Sequence, residues 1–428
     1  MAPTHLNEYD MSHDRTTWGP EEVATYLYFG YLPLLPEPRG SLPGWGLQGD
    51  ERVEQCSHDE LVSLGIKTFT AAFDDLPDGP HIVPLSGGLD SRAILAELCR
   101  RIPPDSVTAI TVGVSGSLDY ELSVEIARVA GVRHRRIDLG QCQLDAEQLK
   151  AAAQGNDAPT WLFDAHYNRL MRQYFGSDVV YWSGYLGSRL SSTKHLATDP
   201  QITFEQALAR FVEVNRWSRT AQLTPSGADL RSCLPDRPLA DTSFLGHDEQ
   251  LDLWIRQQNL TRPVNLPAGY HHRAPFADPG VAAFLLSIPR SDGRRQRVYR
   301  DMLLRTYPKL FSLPTTANAG LALQPSRSSK LLWYVRRGLR AARRRTLPSG
   351  PDVWQANYLD LGHALRQRSD YRDLARGRLG SLVDRDVVPW LDIERLWNEH
   401  QGREANHALA LTLLVSLDIH LDVAARAS

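Results

Sequence analysis

The feature that most restricts the fold is an alternation of helix and strand patterns that begins near residue 58. Helical spacing of apolar residues recurs in four segments, and short strand-like runs separate them. The helical segments are DELVSLGIKTFTAAFDDL, SRAILAELCRRI, YELSVEIARVAG and DAHYNRLMRQYFG, and the strand segments are HIVPLS, SVTAITVGV, HRRIDL and DVVYWSG. Repeated strand–helix units place helices on both faces of a parallel sheet, so the sequence predicts an α/β domain with a parallel sheet.

The rest of the chain is expected to be helical. Pro20, followed by Glu21 and Glu22, favours a helix start in an amphipathic stretch that reaches residue 33. Beyond residue 200 we expect no strands, because apolar residues there follow helical spacing between proline-containing loops. The clearest break is the linker RTLPSGPD at 345–352. The predicted division is an N-terminal segment, a central α/β domain and a helical C-terminal region, with bounds 1–57, 58–325 and 326–428.

Composition excludes several classes of protein. The 48 basic and 50 acidic side chains give a net charge of −2, which offers no general attraction to nucleic acid or to anionic membranes. The four cysteines lie far apart without a CxxC pair, which favours reduced thiols. The N-terminal residues lack a signal-peptide pattern, and no apolar run reaches the length that spans a membrane. We therefore expect a cytoplasmic protein that is neither secreted nor embedded in a membrane.

A glycine turn, SGGLDS at residues 86–91, joins the first strand to the helix that follows it. Backbone N–H groups and the helix dipole converge at such a junction, and Gly87 and Gly88 let an anion approach closely. The hydroxyls of Ser86 and Ser91 can donate hydrogen bonds to the same anion. Because an aspartate beside a phosphate requires a cation between them, Asp90 is a candidate Mg²⁺ ligand. The alternative is a tight turn in which Asp90 only caps the helix.

The turn has neither the GK[ST] of a Walker loop nor the GxGxxG dinucleotide fingerprint. Its pattern resembles the PP-loop of ATP pyrophosphatases, enzymes that cleave ATP between the α- and β-phosphates. Within that superfamily the chain resembles the synthetase domain of asparagine synthetase, which is related to β-lactam synthetases and lasso-peptide cyclases. Besides the turn, four motifs in the family's order carry the resemblance, which covers roughly residues 20 to 325. The first is the opening segment, YLYFGYLP at 26–33. The other three motifs are TVGVSGSLDYELSVEIARVAGVRH, SGYLGSRLS at 183–191 and HRAPFADP at 272–279. The implied fold is a PP-loop (adenine nucleotide alpha hydrolase-like) domain.

The resemblance implies a site for ATP and Mg²⁺. Main-chain groups of two strands would hold the adenine, namely those around Val83, Leu85, Val112 and Gly113. The pyrophosphate would be held by Ser86, Gly87, Gly88, Asp90, Ser91, Gly184 and Ser188, with Asp90 as the metal ligand. The family has a second metal-binding aspartate where this chain has Ser188. Three explanations stay open: Asp90 and water carry the metal, Arg189 supplies a fixed cation, or the ATPase activity has decayed.

The resemblance also implies catalytic residues. Lactam-forming relatives pair a tyrosine with a glutamate to deprotonate the attacking nitrogen, and Tyr185 and His271 occupy the matching positions. A histidine is a reasonable general base for an amine. The alternative is that Tyr185 is merely packed beside the loop and His271 lies on the surface. The family's loop lysine is absent from LPTTANAGLAL, so Arg297 is the candidate cation, with Arg300, Arg305 and Lys330 as unranked substitutes.

The function implied is a stand-alone, AMP-forming ligase that adenylates a carboxylate and joins it to nitrogen. Residue 2 is Ala, so the catalytic cysteine of a glutaminase domain is missing, and the amine must come from free ammonia, another protein or the substrate itself. The departures suggest specialised metabolism, by analogy only. The arginine run in WYVRRGLRAARRR, at 333–345, is a solvated face or binds a carrier protein, an acidic partner or RNA. The competing hypotheses are a catalytically altered ATP-binding partner and a tRNA-modifying PP-loop enzyme, although nucleic acid is not expected.

Overall fold

The computed structural model describes most of the chain in several stretches. These are residues 18–33, 52–156, 158–164, 168–192, 199, 201–240, 245–289, 293–331, 333–335 and 358–427. The predicted linker at 345–352 and most of the arginine run lie outside the described residues.

A parallel sheet forms the centre of the first half. Its strands are β1 (His81–Pro84), β2 (Val107–Gly113), β3 (Arg133–Asp138), β4 (Val180–Trp182) and β5 (His271–Arg273), in the order β3-β2-β1-β4-β5. All four pairings are parallel, with His81 opposite Val107 on one side and Val180 on the other. The predicted α/β class with a parallel sheet is confirmed.

Fourteen described helices accompany the sheet up to residue 311. They are α1 (Pro20–Phe29), α2 (Arg52–Gln55), α3 (His58–Ala71), α4 (Asp90–Arg101), α5 (Leu118–Ala130), α6 (Ala146–Gly155), α7 (Asn168–Phe175), α8 (Gly187–Ser191), α9 (Phe204–Val214), α10 (His247–Leu251), α11 (Arg262–Asn265), α12 (Pro279–Ser287), α13 (Arg294–Thr306) and α14 (Pro308–Phe311). A π-helical segment, Asp252–Thr261, joins α10 to α11, and short 3₁₀ turns occur at Pro104–Ser106, Pro275–Ala277 and Thr316–Asn318.

The expectation that strands stop at residue 200 is wrong because of β5. Its three residues, His-His-Arg, are too short and too polar to produce a strand pattern in the sequence. Hydrogen bonding to β4 in the sheet creates the strand. The predominantly helical character of the second half is confirmed.

The C-terminal helices belong to a second hydrophobic core. They are α15 (Leu361–Gln367), α16 (Ser369–Asp384), α17 (Ile393–Gln401) and α18 (Ala408–Ala427). Their buried residues pack with Val23 and Leu27 of α1 and with Leu149 of α6, so the beginning and the end of the described chain share one core. The separate core around the sheet includes α3, α4, α12 and α13.

Helix α18 is long and apolar enough to cross a membrane. However, 72% of its apolar window is buried inside the protein, where it packs on α16. A core helix of a soluble protein has the same properties, so this helix alone does not indicate a membrane protein.

Candidate active site

The glycine turn lies at the carboxyl end of β1, where the chain passes into α4. The backbone N–H of Ser86 donates to the Ser91 hydroxyl oxygen at 3.2 Å, and the two hydroxyls are 3.3 Å apart. The N–H of Gly88 donates to the Ser86 hydroxyl oxygen at 3.1 Å. The structure therefore brings the hydroxyls of the two predicted serines together within the turn.

Gly87 is fixed by contacts from three other parts of the chain. Its N–H donates to Asp119 at 2.9 Å. Its carbonyl oxygen accepts hydrogen bonds from the Arg92 guanidinium (2.9 Å), the Thr315 hydroxyl (2.8 Å) and the Thr316 N–H (3.0 Å). A Cβ on residue 87 would lie 2.8 Å from the Thr316 methyl group. The turn is thus held in shape by Arg92 of the following helix and by Asp119, Thr315 and Thr316, which lie far away in sequence.

Asp90 is the point where the glycine turn meets the loop after β4. One carboxylate oxygen accepts a hydrogen bond from the Tyr299 hydroxyl at 2.7 Å, and the backbone N–H of Ser188 donates to the same carboxylate. A Cβ on Gly187 would lie 2.5 Å from the Asp90 carboxyl carbon, and one on Gly184 would lie 3.2 Å from its Cβ. Burial raises the pKa of Asp90 to about 6, and both hydrogen bonds oppose that rise. The structure therefore gathers Asp90, Gly184 and Ser188, as predicted.

The loop after β4 turns sharply before α8. Leu186 has a φ of 69°, a left-handed conformation that costs energy for a branched side chain and is often found at functional sites. Arg189, two residues later in the chain than Gly187, forms a 3.0 Å ion pair with Asp252. Both side chains are mostly buried, so this arginine neutralises a carboxylate of the π-helical segment. The explanation in which Arg189 acts as a fixed phosphate cation gains no support from this contact.

The structure does not bring Tyr185 and His271 together. The Tyr185 hydroxyl donates to the backbone carbonyl of Gln257 at 3.0 Å, and burial raises the pKa of its phenol. His271 pairs with Val180 at the amino end of β4, whereas Tyr185 follows the carboxyl end of that strand. His271 is exposed at this position. The predicted proton relay between these residues is therefore corrected, because the strand register separates them.

The predicted cations are exposed or bind groups other than Asp90. Arg297 lies on the exposed side of α13, and Lys330 is also exposed. Arg300 donates to a backbone carbonyl at residue 323 at 2.8 Å, and Arg305 forms an ion pair with a carboxylate of α3. The lysine-free loop, residues 313–323, nevertheless lies against Gly87 through its two threonines. The loop thus contacts the glycine turn, but it offers no lysine where the family has one.

The residues predicted to hold adenine lie in adjacent strands. Val83 and Leu85 have buried side chains and Gly113 is buried, while Val112 is half-buried at the carboxyl end of β2. The carbonyl of Leu85 accepts a hydrogen bond from the Thr111 hydroxyl at 2.7 Å. Adenine binding by these main-chain groups stays a prediction.

Four contacts at this site were not predicted. Arg92, Asp119, Tyr299 and the Thr315–Thr316 pair touch Gly87 or Asp90 directly. Only Arg92 had a signal, since it is a charged residue directly before the apolar run AILA at 93–96. No local sequence pattern marks the other residues, because contacts between distant parts of the chain bring them to the site.

The residues around Asp90 fit a magnesium ion that is held largely by ATP. Mg²⁺ commonly uses one or two carboxylates together with substrate phosphates and water. Asp90 offers one carboxylate beside the turn, and in the described part of the chain no cluster of three or more metal-binding side chains occurs. Ser188 contributes its N–H to Asp90 rather than a second carboxylate.

Tyr299→Phe should weaken magnesium binding without unfolding the protein. The substitution removes the hydroxyl that orients Asp90, and loss of such a supporting hydrogen bond typically costs about 10-fold or more in metal affinity. The measurement is the Mg²⁺ concentration that gives half-maximal ATP binding. Tyr307→Phe is the matched control, because this tyrosine donates to Glu97 and not to Asp90. Equal magnesium dependence in both variants would contradict the role given to Tyr299.

Comparison with known protein families identifies the central part of the chain. Residues 67–241 match the family model described as asparagine synthase. The match covers α4 to α9 and four of the five strands, and it includes both loops that meet at Asp90. No curated protein matches the chain.

Proposed function

Because residues 67–241 are an asparagine synthase domain, from a family of ATP-dependent synthetases that form amide bonds, we propose that this protein is an AMP-forming carbon–nitrogen ligase. It would activate a carboxylic acid with ATP and join it to an amine or to ammonia. The observation that supports the proposal best is the convergence of Ser86, Ser91, Gly184 and Ser188 around Asp90.

The proposed chemistry has two displacements. A carboxylate oxygen of the substrate attacks the α-phosphorus of ATP, and the bond to the bridging oxygen breaks so that pyrophosphate leaves. A nitrogen lone pair then attacks the acyl carbon of the adenylate, AMP leaves, and the nitrogen loses a proton. Hydrogen-bond donors placed around the leaving group and the developing negative charge would lower both barriers.

The chain's own groups have specific tasks in this proposal. The Ser86 and Ser91 hydroxyls and the start of α4 would bind the β- and γ-phosphates, which leaves the α-phosphate open. Asp90 would hold Mg²⁺, which when bound supplies positive charge to the phosphates. Tyr299 and the Ser188 N–H would orient that carboxylate. We place the reaction in specialised metabolism, because Ser188 and the lysine-free loop depart from the family pattern.

A competing function is an ATP-binding protein that has lost the chemistry. The observation that favours it is the placement of the candidate cations: Arg189 pairs with Asp252, and Arg297 is exposed. A tRNA-modifying role would depend on the arginine run, most of which lies outside the described residues.

Pyrophosphate release separates these functions. ATP, Mg²⁺ and a panel of carboxylic acids should give release that depends on the acid, and adding amines should give AMP and an amide detectable by mass spectrometry. ATP binding without release for any acid would favour the non-catalytic protein. Release that depends on tRNA and not on a carboxylic acid would favour the modifying enzyme.

A further inference from the structure

A cavity of about 320 Å³ lies between the sheet and the C-terminal helices. We call it the aromatic cavity, and its wall is mostly apolar. The residues that form this wall include Leu139, Trp161, Phe163, Tyr358, Leu361 and Leu409. Asp164 contributes a carboxyl group to the same cavity. Its size suits a ring or branched group rather than a water molecule.

The aromatic cavity borders the predicted nucleotide site. Leu139 directly follows β3, and its N–H donates to the carbonyl of Gly113 at 2.8 Å, at the carboxyl end of β2. Tyr358 of the same wall is mostly exposed, so the cavity is open to solvent on that side. A ligand in the cavity would thus lie near the carboxyl end of β2, beside Gly113.

Asp164 gives the cavity a chemical preference. Among the residues that the structure describes, it has no recorded hydrogen bond or ion pair, and enclosure by the protein raises its pKa to about 7. The other carboxylate of the wall, Asp360, accepts the N–H of His363 at 2.9 Å and caps α15. A carboxylate in an apolar cavity attracts an ammonium or N–H donor and repels a second carboxylate.

From this cavity we propose that the protein's nitrogen donor is a primary amine attached to an apolar, ring-sized group. The apolar group occupies the aromatic cavity, and Asp164 accepts hydrogen bonds from the amine. This inference rests on the proposed function, because it states which of the two reactants of the proposed ligase binds in the aromatic cavity. Free ammonia is too small to contact the apolar wall. The carboxylic acid substrate, which enters as a carboxylate, would be repelled by the Asp164 carboxylate.

Direct binding to the full chain tests the inference without any turnover. The probes are 2-phenylethylamine, 2-phenylethanol and 3-phenylpropionate, which share a ring and differ in charge, and calorimetry measures their affinities. The wild type should bind the amine about 10-fold more tightly than the alcohol, and the carboxylate most weakly. Asp164→Asn should abolish the preference for the amine. Asp360→Asn, a change on the same wall that keeps the helix cap, should retain it.

Other outcomes would overturn the proposal. One is a wild-type protein that binds the amine no better than the alcohol. Another is an Asp164→Asn variant that loses affinity for ATP and keeps the amine preference, which would assign the cavity to adenine. Asp164→Ala provides a second variant should the asparagine form not fold. Failure of the proposed function would look different: no pyrophosphate release with any acid, whatever the amine affinities are.

Discussion

Asp90→Asn should reduce pyrophosphate release by about 100-fold or more, because the asparagine amide cannot replace a charged magnesium ligand at this position. The variant keeps the size of the side chain and can still accept the hydrogen bond from Tyr299. The substitution should therefore lower the rate of pyrophosphate release without disturbing the position of the side chain. The measurement is the initial rate of pyrophosphate release at saturating ATP, with the acid that serves the wild type best.

The same substitution should not lower thermal stability at pH 7.5. The pKa of Asp90 is raised from 3.8 to about 6 in the folded protein, so its proton stabilises the fold at low pH. That stabilisation is complete below about pH 4 and is lost as the pH rises through about 6. At pH 7.5 the buried charge opposes folding, and asparagine removes it. Asp105→Asn, at an exposed site beside the amino end of β2, is the control that should leave activity and stability unchanged. Retained activity in Asp90→Asn would contradict the metal-binding role.

Arg92→Met should have the largest effect on folding stability. Arg92 is fully buried and donates hydrogen bonds to four backbone carbonyls, those of Gly87, Leu310, Leu313 and Pro314. Methionine fills a similar volume but leaves buried carbonyls without donors. We expect a loss of about 3–5 kcal/mol in the free energy of unfolding, the range found when one member of a buried charged network is removed. Urea denaturation followed by circular dichroism measures it.

Arg128→Met is the matched control for this variant. Arg128 lies on the surface of α5 and pairs with Glu125 in the same helix, so its removal should change the urea midpoint little. Equal midpoints for the two variants would mean that the carbonyls around Arg92 find other donors. The Arg92 variant should also bind ATP more weakly, because Gly87 loses one of the three groups that hold its carbonyl.

The local patterns of the sequence account for the sheet up to β4, and β5 shows where they stop. Each of β1, β2 and β4 is an apolar run next to a helix with regular spacing, which is enough to predict a parallel sheet. The three residues of β5 become a strand only because the edge of β4 is available for pairing. Short polar strands of this kind are defined by their neighbours in the fold.

The residues of the candidate site also fall into those that the sequence predicts and those that it does not. The glycine turn was predictable, because the spacing of its serines, glycines and aspartate is itself the signal. Tyr299 and Thr315 were not, because they reach Asp90 and Gly87 across 209 and 228 residues. His271 shows the opposite error: the resemblance supplied a residue and a role, but the register of β5 places it at the amino end of the sheet.

The contacts on Gly87 also determine when the nucleotide site can form during synthesis. The chain emerges from the ribosome with its N-terminus first, and domains begin to fold as they emerge. A nascent chain that ends at residue 241 contains the whole asparagine synthase match, yet it lacks Tyr299, Thr315 and Thr316. Arg92 would then be a buried cation with none of its carbonyl partners from residues 310–314. Stalled chains of increasing length should therefore gain ATP binding only after residue 316 has left the ribosomal tunnel.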